Sequence, residues 1–171
     1  MGVIMTKWRS TRLVTIKYVK VAGGIYPLTT RRSVASAINA LGQKMNAEDG
    51  VLFLYLSSHD SNDFQLTVQH DSILNARDLK KSFSKANIKW KIIMISACYS
   101  GRFFPGLTDE FTLVMTAADS ENTSFGCSEE SEMTYFGNAM FNEVLDKDTD
   151  IGLVGAFGTA QALIKQWKTE E

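Results

Sequence analysis

The chain has 171 residues, a formal net charge of −1 and a pI near 6.1, with 44% hydrophobic and 22% charged residues. These values suit a single soluble domain over 1–171 with a real core, and near-neutral charge gives no general reason to expect nucleic acid. Two cysteines exclude a disulfide framework, and no apolar run reaches the ~18–20 residues that span a bilayer or forms a signal-peptide h-region. From the chain alone the expected compartment is the cytoplasm; membrane anchorage or a periplasmic location follows only if flanking segments are missing.

Charge is unevenly spread. Lys7, Arg9, Arg12, Lys17, Lys20, Arg31 and Arg32 precede the first acid, Glu48. A solvated strand and loop surface is the plain reading; a face toward acidic membrane or RNA is the minority one. Residues 12–20 alternate, with Val14, Ile16 and Tyr18 on one side, which predicts a strand near a sheet edge. Thr30 is placed to cap a helix over 31–45, with Val34, Ile38, Leu41 and Met45 inward. VLFLYLS at 51–57 is a continuous apolar run, a strand covered on both faces. FQLTV at 64–68 alternates as a small exposed strand, and Asn75 caps a helix to about 86 with Leu79, Phe83 and Ala86 inward. KIIMIS at 91–96 and FTLVMTAA at 111–118 predict two more buried strands. Helices follow at 134–145 and 153–168, the latter with an apolar stripe of Phe157, Ala160, Leu163, Ile164 and Trp167. Buried strands alternating with amphipathic helices predict an α/β fold with a mainly parallel sheet covered by helices on both faces.

Two polar groups stand out because each follows a buried strand: His59 after 51–57 and Cys98 after 91–96. Ligands of open parallel sheets bind beyond the carboxyl ends of strands. A right-handed crossover through the 75–86 helix makes those two strands neighbours, ~4.8 Å apart. A thiol beside an imidazole is the pair that nucleophilic catalysis needs. Taken singly, a cysteine at a strand end reads as a small buried hydrophobe and a histidine as an ordinary surface or core residue. Their matching placement favours chemistry.

The stretches SSHD, ISACYSG, VMTAADSENTSFGCS and TYFGNAMFNEVL resemble the legumain-like (asparaginyl endopeptidase) family of caspase-fold cysteine peptidases, bacterial members in particular. The resemblance covers about 26–168. It implies a caspase-like three-layer fold, a catalytic dyad of His59 and Cys98, and an oxyanion hole from the backbone N–H groups of Asp60 and Cys98. It also implies peptide or protein substrates, with no metal or organic cofactor.

Three departures qualify what carries over. Family members have glycine after the histidine, where this chain has Asp60. Its carboxylate would oppose a developing oxyanion if turned inward, or orient the imidazole and raise its pKa. Both readings remain. The family's acidic specificity residues fall at Ser96 and Asn138, while the family's serine is kept as Ser124, so these three are the candidate substrate-binding residues. The family's first strand–helix unit has no counterpart, and its arginine is not transferred to Arg31 or Arg32. A partner chain could supply that unit, which suggests a homodimer through the edge strand near 12–20. Cys127 reads as packing near the pocket wall. The expected function is a cysteine endopeptidase; the rival classes are an inactive relative used as an interaction module and, more remotely, a redox-sensing thiol.

Overall fold

Two short strands near the amino end pair before the first helix. Gly2–Thr6 (β1) and Val14–Lys17 (β2) run antiparallel, with Ile4 opposite Ile16. The computed structural model describes residues 2–6, 14–17, 29–58, 60–61, 65–68, 72–124 and 134–170. β1 pairs on its other side, again antiparallel, with Val51–Ser57 (β3). Beyond β3 lie Trp90–Ser96 (β7) and Thr112–Thr116 (β8), both parallel to it, giving the order β2-β1-β3-β7-β8. Among the described residues β2 therefore forms a sheet edge, as its alternation suggests. β1 was not anticipated, and it is the one strand of this sheet that opposes the others in direction.

The apolar runs work as double-sided strands. From β3, Leu52, Leu54 and Leu56 enter one core, while Phe53 and Tyr55 face the other; Ile93 and Ile95 of β7 oppose Ile92 and Met94 in the same way. Alternate side chains of a strand point to opposite faces, so each run feeds two helical layers. β8 departs from the expectation of a fully buried strand. Among the described residues it is the far edge of the sheet, and only Val114 and Met115 are buried along it.

One layer contains Arg31–Gly42 (α1), Ala76–Lys85 (α2) and the short Phe104–Leu107 (α3). Thr30 and Ser33 cap α1 reciprocally, at 3.1 and 2.9 Å. Asn75 and Asp78 do the same for α2. Such caps satisfy amides that have no partner within the helix. Val34, Ile38 and Leu41 of α1 and Leu79 and Phe83 of α2 then fall into the core. The opposite layer holds Tyr135–Gly137 (α4), which widens into a π-helix over Asn138–Leu145, and Leu153–Glu170 (α5). The Asp146 N–H reaches back five residues to the Phe141 carbonyl, at 3.0 Å. Ala156 and Ala160 are buried completely, and Phe157 of α5 meets Phe136 edge-on at 5.9 Å.

Beyond β3 a small antiparallel sheet forms from Asp60–Ser61 (β4), Gln65–Val68 (β5) and Ser72–Leu74 (β6). The Ser58 hydroxyl donates to the Thr67 carbonyl, tying the exit of β3 to β5. Among the described residues no helix is long and apolar enough to cross a membrane.

Candidate active site

The carboxyl ends of β3 and β7 lie level. Ser57 is the register partner of Ser96, and the Ser58 N–H donates to the Ser96 carbonyl at 3.2 Å. Chain positions 59 and 98 each follow two residues after that pair. His59 lies outside the described residues, as does Cys127; of Asp60 the backbone is described, in β4 opposite Leu66.

From Ser96 and Ala97, both fully buried, the chain emerges at Cys98, a half-buried free thiol. Tyr99 then takes the left-handed conformation, φ 53° and ψ 17°. That geometry is unusual for a residue with a side chain and needs outside support. Support comes from residues 118–122. The Tyr99 N–H donates to the Asn122 carbonyl at 2.9 Å, and the Gly101 N–H to the Asp119 carbonyl at 3.3 Å. The buried Ser100 hydroxyl accepts from the Ala118 N–H at 3.1 Å. Arg102 Nε donates to the Ser120 carbonyl, with its guanidinium 4.8 Å from the Tyr99 ring centre. Residue 101 has to be glycine here, since a Cβ would lie 2.6 Å from the Asp119 carbonyl carbon.

The supporting loop is organised by Asp119, whose carboxylate accepts from the Glu121 N–H and from Asn122. The Asn122 side-chain amide first, then those backbone amides, hold the Asp119 carboxyl below its ordinary range. Neither Asp119 nor Asn122 was singled out from the sequence. Their signal was present as an Asp-x-x-Asn turn within ADSEN.

The remaining sequence candidates divide. Ser124 comes to the thiol, with its Oγ 3.5 Å from Cys98 Sγ. Ser96 is fully buried, and its hydroxyl is 2.6 Å from that of Thr134. Thr134 also meets the Tyr55 hydroxyl at 3.5 Å and caps α4 by accepting from the Gly137 N–H at 3.1 Å. Asn138 stands one turn further on; its side-chain oxygen accepts from the Asn142 amide at 2.8 Å. Thr134 thus links Ser96 to the helix that bears Asn138, a role the sequence reading did not assign.

A family model supplies the deciding comparison: that of the peptidase C13 family matches residues 31–171. The chain belongs to the peptidase C13 family, the legumain family. A search of curated proteins gives no match. C13 membership implies cysteine peptidase activity on protein or peptide substrates, and the α/β architecture with its parallel β3, β7 and β8 agrees with the caspase-like fold of C13 peptidases.

Proposed function

We propose that the chain is an endopeptidase in which Cys98 is the nucleophile and His59 its base. The single observation behind this reading is the register of β3 with β7, together with the half-exposed thiol that follows β7. In this mechanism the imidazole takes the thiol proton as Sγ attacks the scissile carbonyl carbon. The backbone N–H groups of Cys98 and Asp60 receive the oxyanion. Breaking of the C–N bond passes the proton from the imidazolium to the leaving amine and leaves a thioester. Water, deprotonated by the imidazole, then releases the carboxylic product and the proton returns to sulfur.

Ser124 is assigned to the substrate-binding wall from its place beside Sγ. Ser96 and Asn138 are assigned to the same pocket through Thr134, which holds the hydroxyl of one and starts the helix of the other. A pocket with neutral groups here would not require the strict asparagine selection expected where two carboxylates stand. In this reading the whole chain acts as one peptidase domain, and the outer edge of β2 pairs with a second copy. A strict monomer by light scattering across the micromolar range would contradict that pairing.

The test of catalysis is a peptide-library cleavage profile alongside labelling by an electrophilic peptide reagent. Cys98→Ala should abolish both, and His59→Ala should reduce cleavage by at least a hundredfold. Equal labelling of Cys98→Ala would transfer the nucleophile to another residue.

A further inference from the structure

Two clefts open on the α1/α2 side of the sheet, and Cys98 lines neither. The first, about 850 Å³, is lined by Arg77, Lys80, Lys81 and Arg102 over a floor of Phe103 and Gly106. The second, about 650 Å³, is lined by Arg31, Arg32, Lys81 and Lys85, with Asp78 as its one carboxylate. Asp78 is 3.9 Å from Arg31. Arg32, Arg77, Lys80, Lys81 and Lys85 form no ion pair among the described residues. Because Lys81 borders both clefts, they form one cationic strip across α2. The opposite layer is acidic instead, with Asp146, Asp148 and Asp150 exposed between the π-helix and α5. A net charge of −1 therefore conceals two faces of opposite sign.

We propose that this strip is a docking exosite for an acidic segment of the protein substrate. The inference rests on the reading of Cys98 as the nucleophile, because the strip begins at Arg102, on the same turn as that residue. A peptide leaving the cleavage position would meet Arg102 first, then Arg77 with Arg32 of α1 on its flank, then Lys80 and Lys81, and finally Lys85. Eight helical steps from Arg77 to Lys85 cover roughly 12 Å at 1.5 Å each, about four residues of extended peptide. The cations of Arg32, Arg77, Lys80, Lys81 and Lys85 along these clefts favour carboxylates by complementarity of charge, in binding and in encounter rate.

Nucleic acid fits the strip less well. Single strands are held by exposed aromatic rings between cations. Phe103 is 1% exposed, and the exposed rings of Trp90 and Phe104 line neither cleft. An anionic bilayer would need protruding apolar side chains to insert, and among the described residues the large exposed hydrophobics, Ile73, Trp90, Phe104 and Val154, all lie off α1 and α2.

The test uses full-length Cys98→Ala protein and fluorescence anisotropy of a fluorescein-labelled twelve-residue peptide alternating Glu and Gly. Binding should weaken by at least about tenfold in Arg77→Glu/Lys80→Glu/Lys81→Glu, and by a similar factor from 50 to 300 mM salt. Lys165→Glu, the same charge reversal on α5, should leave it unchanged, with folding of each variant verified by circular dichroism. Equal binding by the triple variant overturns the proposal. So does tighter binding of an oligothymidylate, or of vesicles containing phosphatidylserine, than of the acidic peptide. On the cysteine enzyme, appending the Glu-Gly segment to a cleaved peptide should lower KM and leave kcat in place. Peptide binding without any cleavage would refute the catalytic reading and leave the acidic-ligand surface standing.

Discussion

Both amide groups of Asn122, backbone and side chain, donate to the Asp119 carboxylate at 2.8 Å, and the carbonyl of Asn122 accepts from the Tyr99 N–H beside the thiol. An exposed carboxylate thus acts on the turn at Cys98 through one intermediate residue. Asp119→Ala should lower kcat about tenfold by loosening that turn, while the melting temperature changes little, because the loop is at the surface. Asp119→Asn keeps one acceptor oxygen and should fall between the two. A drop in melting temperature that accounts for the whole activity loss would show a merely structural role.

Gly101 tests the same turn from the other side. Gly101→Ala would set a Cβ against the backbone of Asp119 and Ser120, at 2.6 and 2.7 Å. Backbone cannot rotate away as a side-chain tip can, so the turn must move. A destabilisation of about 1–3 kcal/mol is expected, with loss of thiol labelling greater than that figure alone explains. Denaturant melts paired with labelling rates measure the two effects.

The buried Ser96–Thr134 pair should behave as a coupled unit. Thr134→Val removes the α4 cap and strands the Ser96 hydroxyl, at an expected cost of about 2 kcal/mol. Ser96→Ala leaves Thr134 with its other partners and should cost about 1 kcal/mol. A double-mutant cycle should give a coupling of about 0.5 kcal/mol or more. Additive effects would mean that the 2.6 Å contact contributes nothing.

Asp109 gives the pH prediction. Partial burial alone would raise its carboxyl; hydrogen bonds from the Thr112 hydroxyl and the Phe111 N–H, with the nearby Lys91 ammonium, outweigh that and hold it below 3.8. Lys91 is buried and 3.5 Å from it. A lowered folded-state value means that the stabilisation is complete above the unfolded value and disappears as pH falls through the folded one. Asp109→Asn should therefore cost about 1 kcal/mol at pH 7, after discounting for solvent at a carboxylate with 38% exposure. The gap to the wild type should close on acidification below the ordinary carboxylate range, in urea melts from pH 7 to 2.

How much of this could be read from residues alone depends on how local the signal is. β3 and β7 are legible because their apolar runs, VLFLYL and IIMI, leave no polar face, and α1 and α2 because Thr30 and Asn75 stand before periodic apolar positions. β1 was missed since GVIMT is short and without alternation; its pairing with β3 is made by the tertiary structure. The exposure of β8 was missed for a related reason, as an edge is a property of the sheet and not of the strand. At the site, Cys98 carried its own chemical signal, while Ser124 was reached through the family resemblance. Thr134 carried none, because a threonine before a helix looks like any cap until the side chains that meet it are known.

The wide coil over Asn138–Leu145 has a consequence for insertions and deletions. Bonding to the fifth residue back spends one more residue per turn than an ordinary helix, so removing a single residue there would restore the usual winding without breaking the segment. Because the wide winding already absorbs the extra residue, seven residues of ordinary helix subtend about the angle that these eight do, and the residues after the deletion would keep their face. The helix bearing Ala156 and Ala160 begins only at Leu153, after the connection over 146–152, and would stay seated, so this segment should accept a one-residue deletion that an ordinary helix would not.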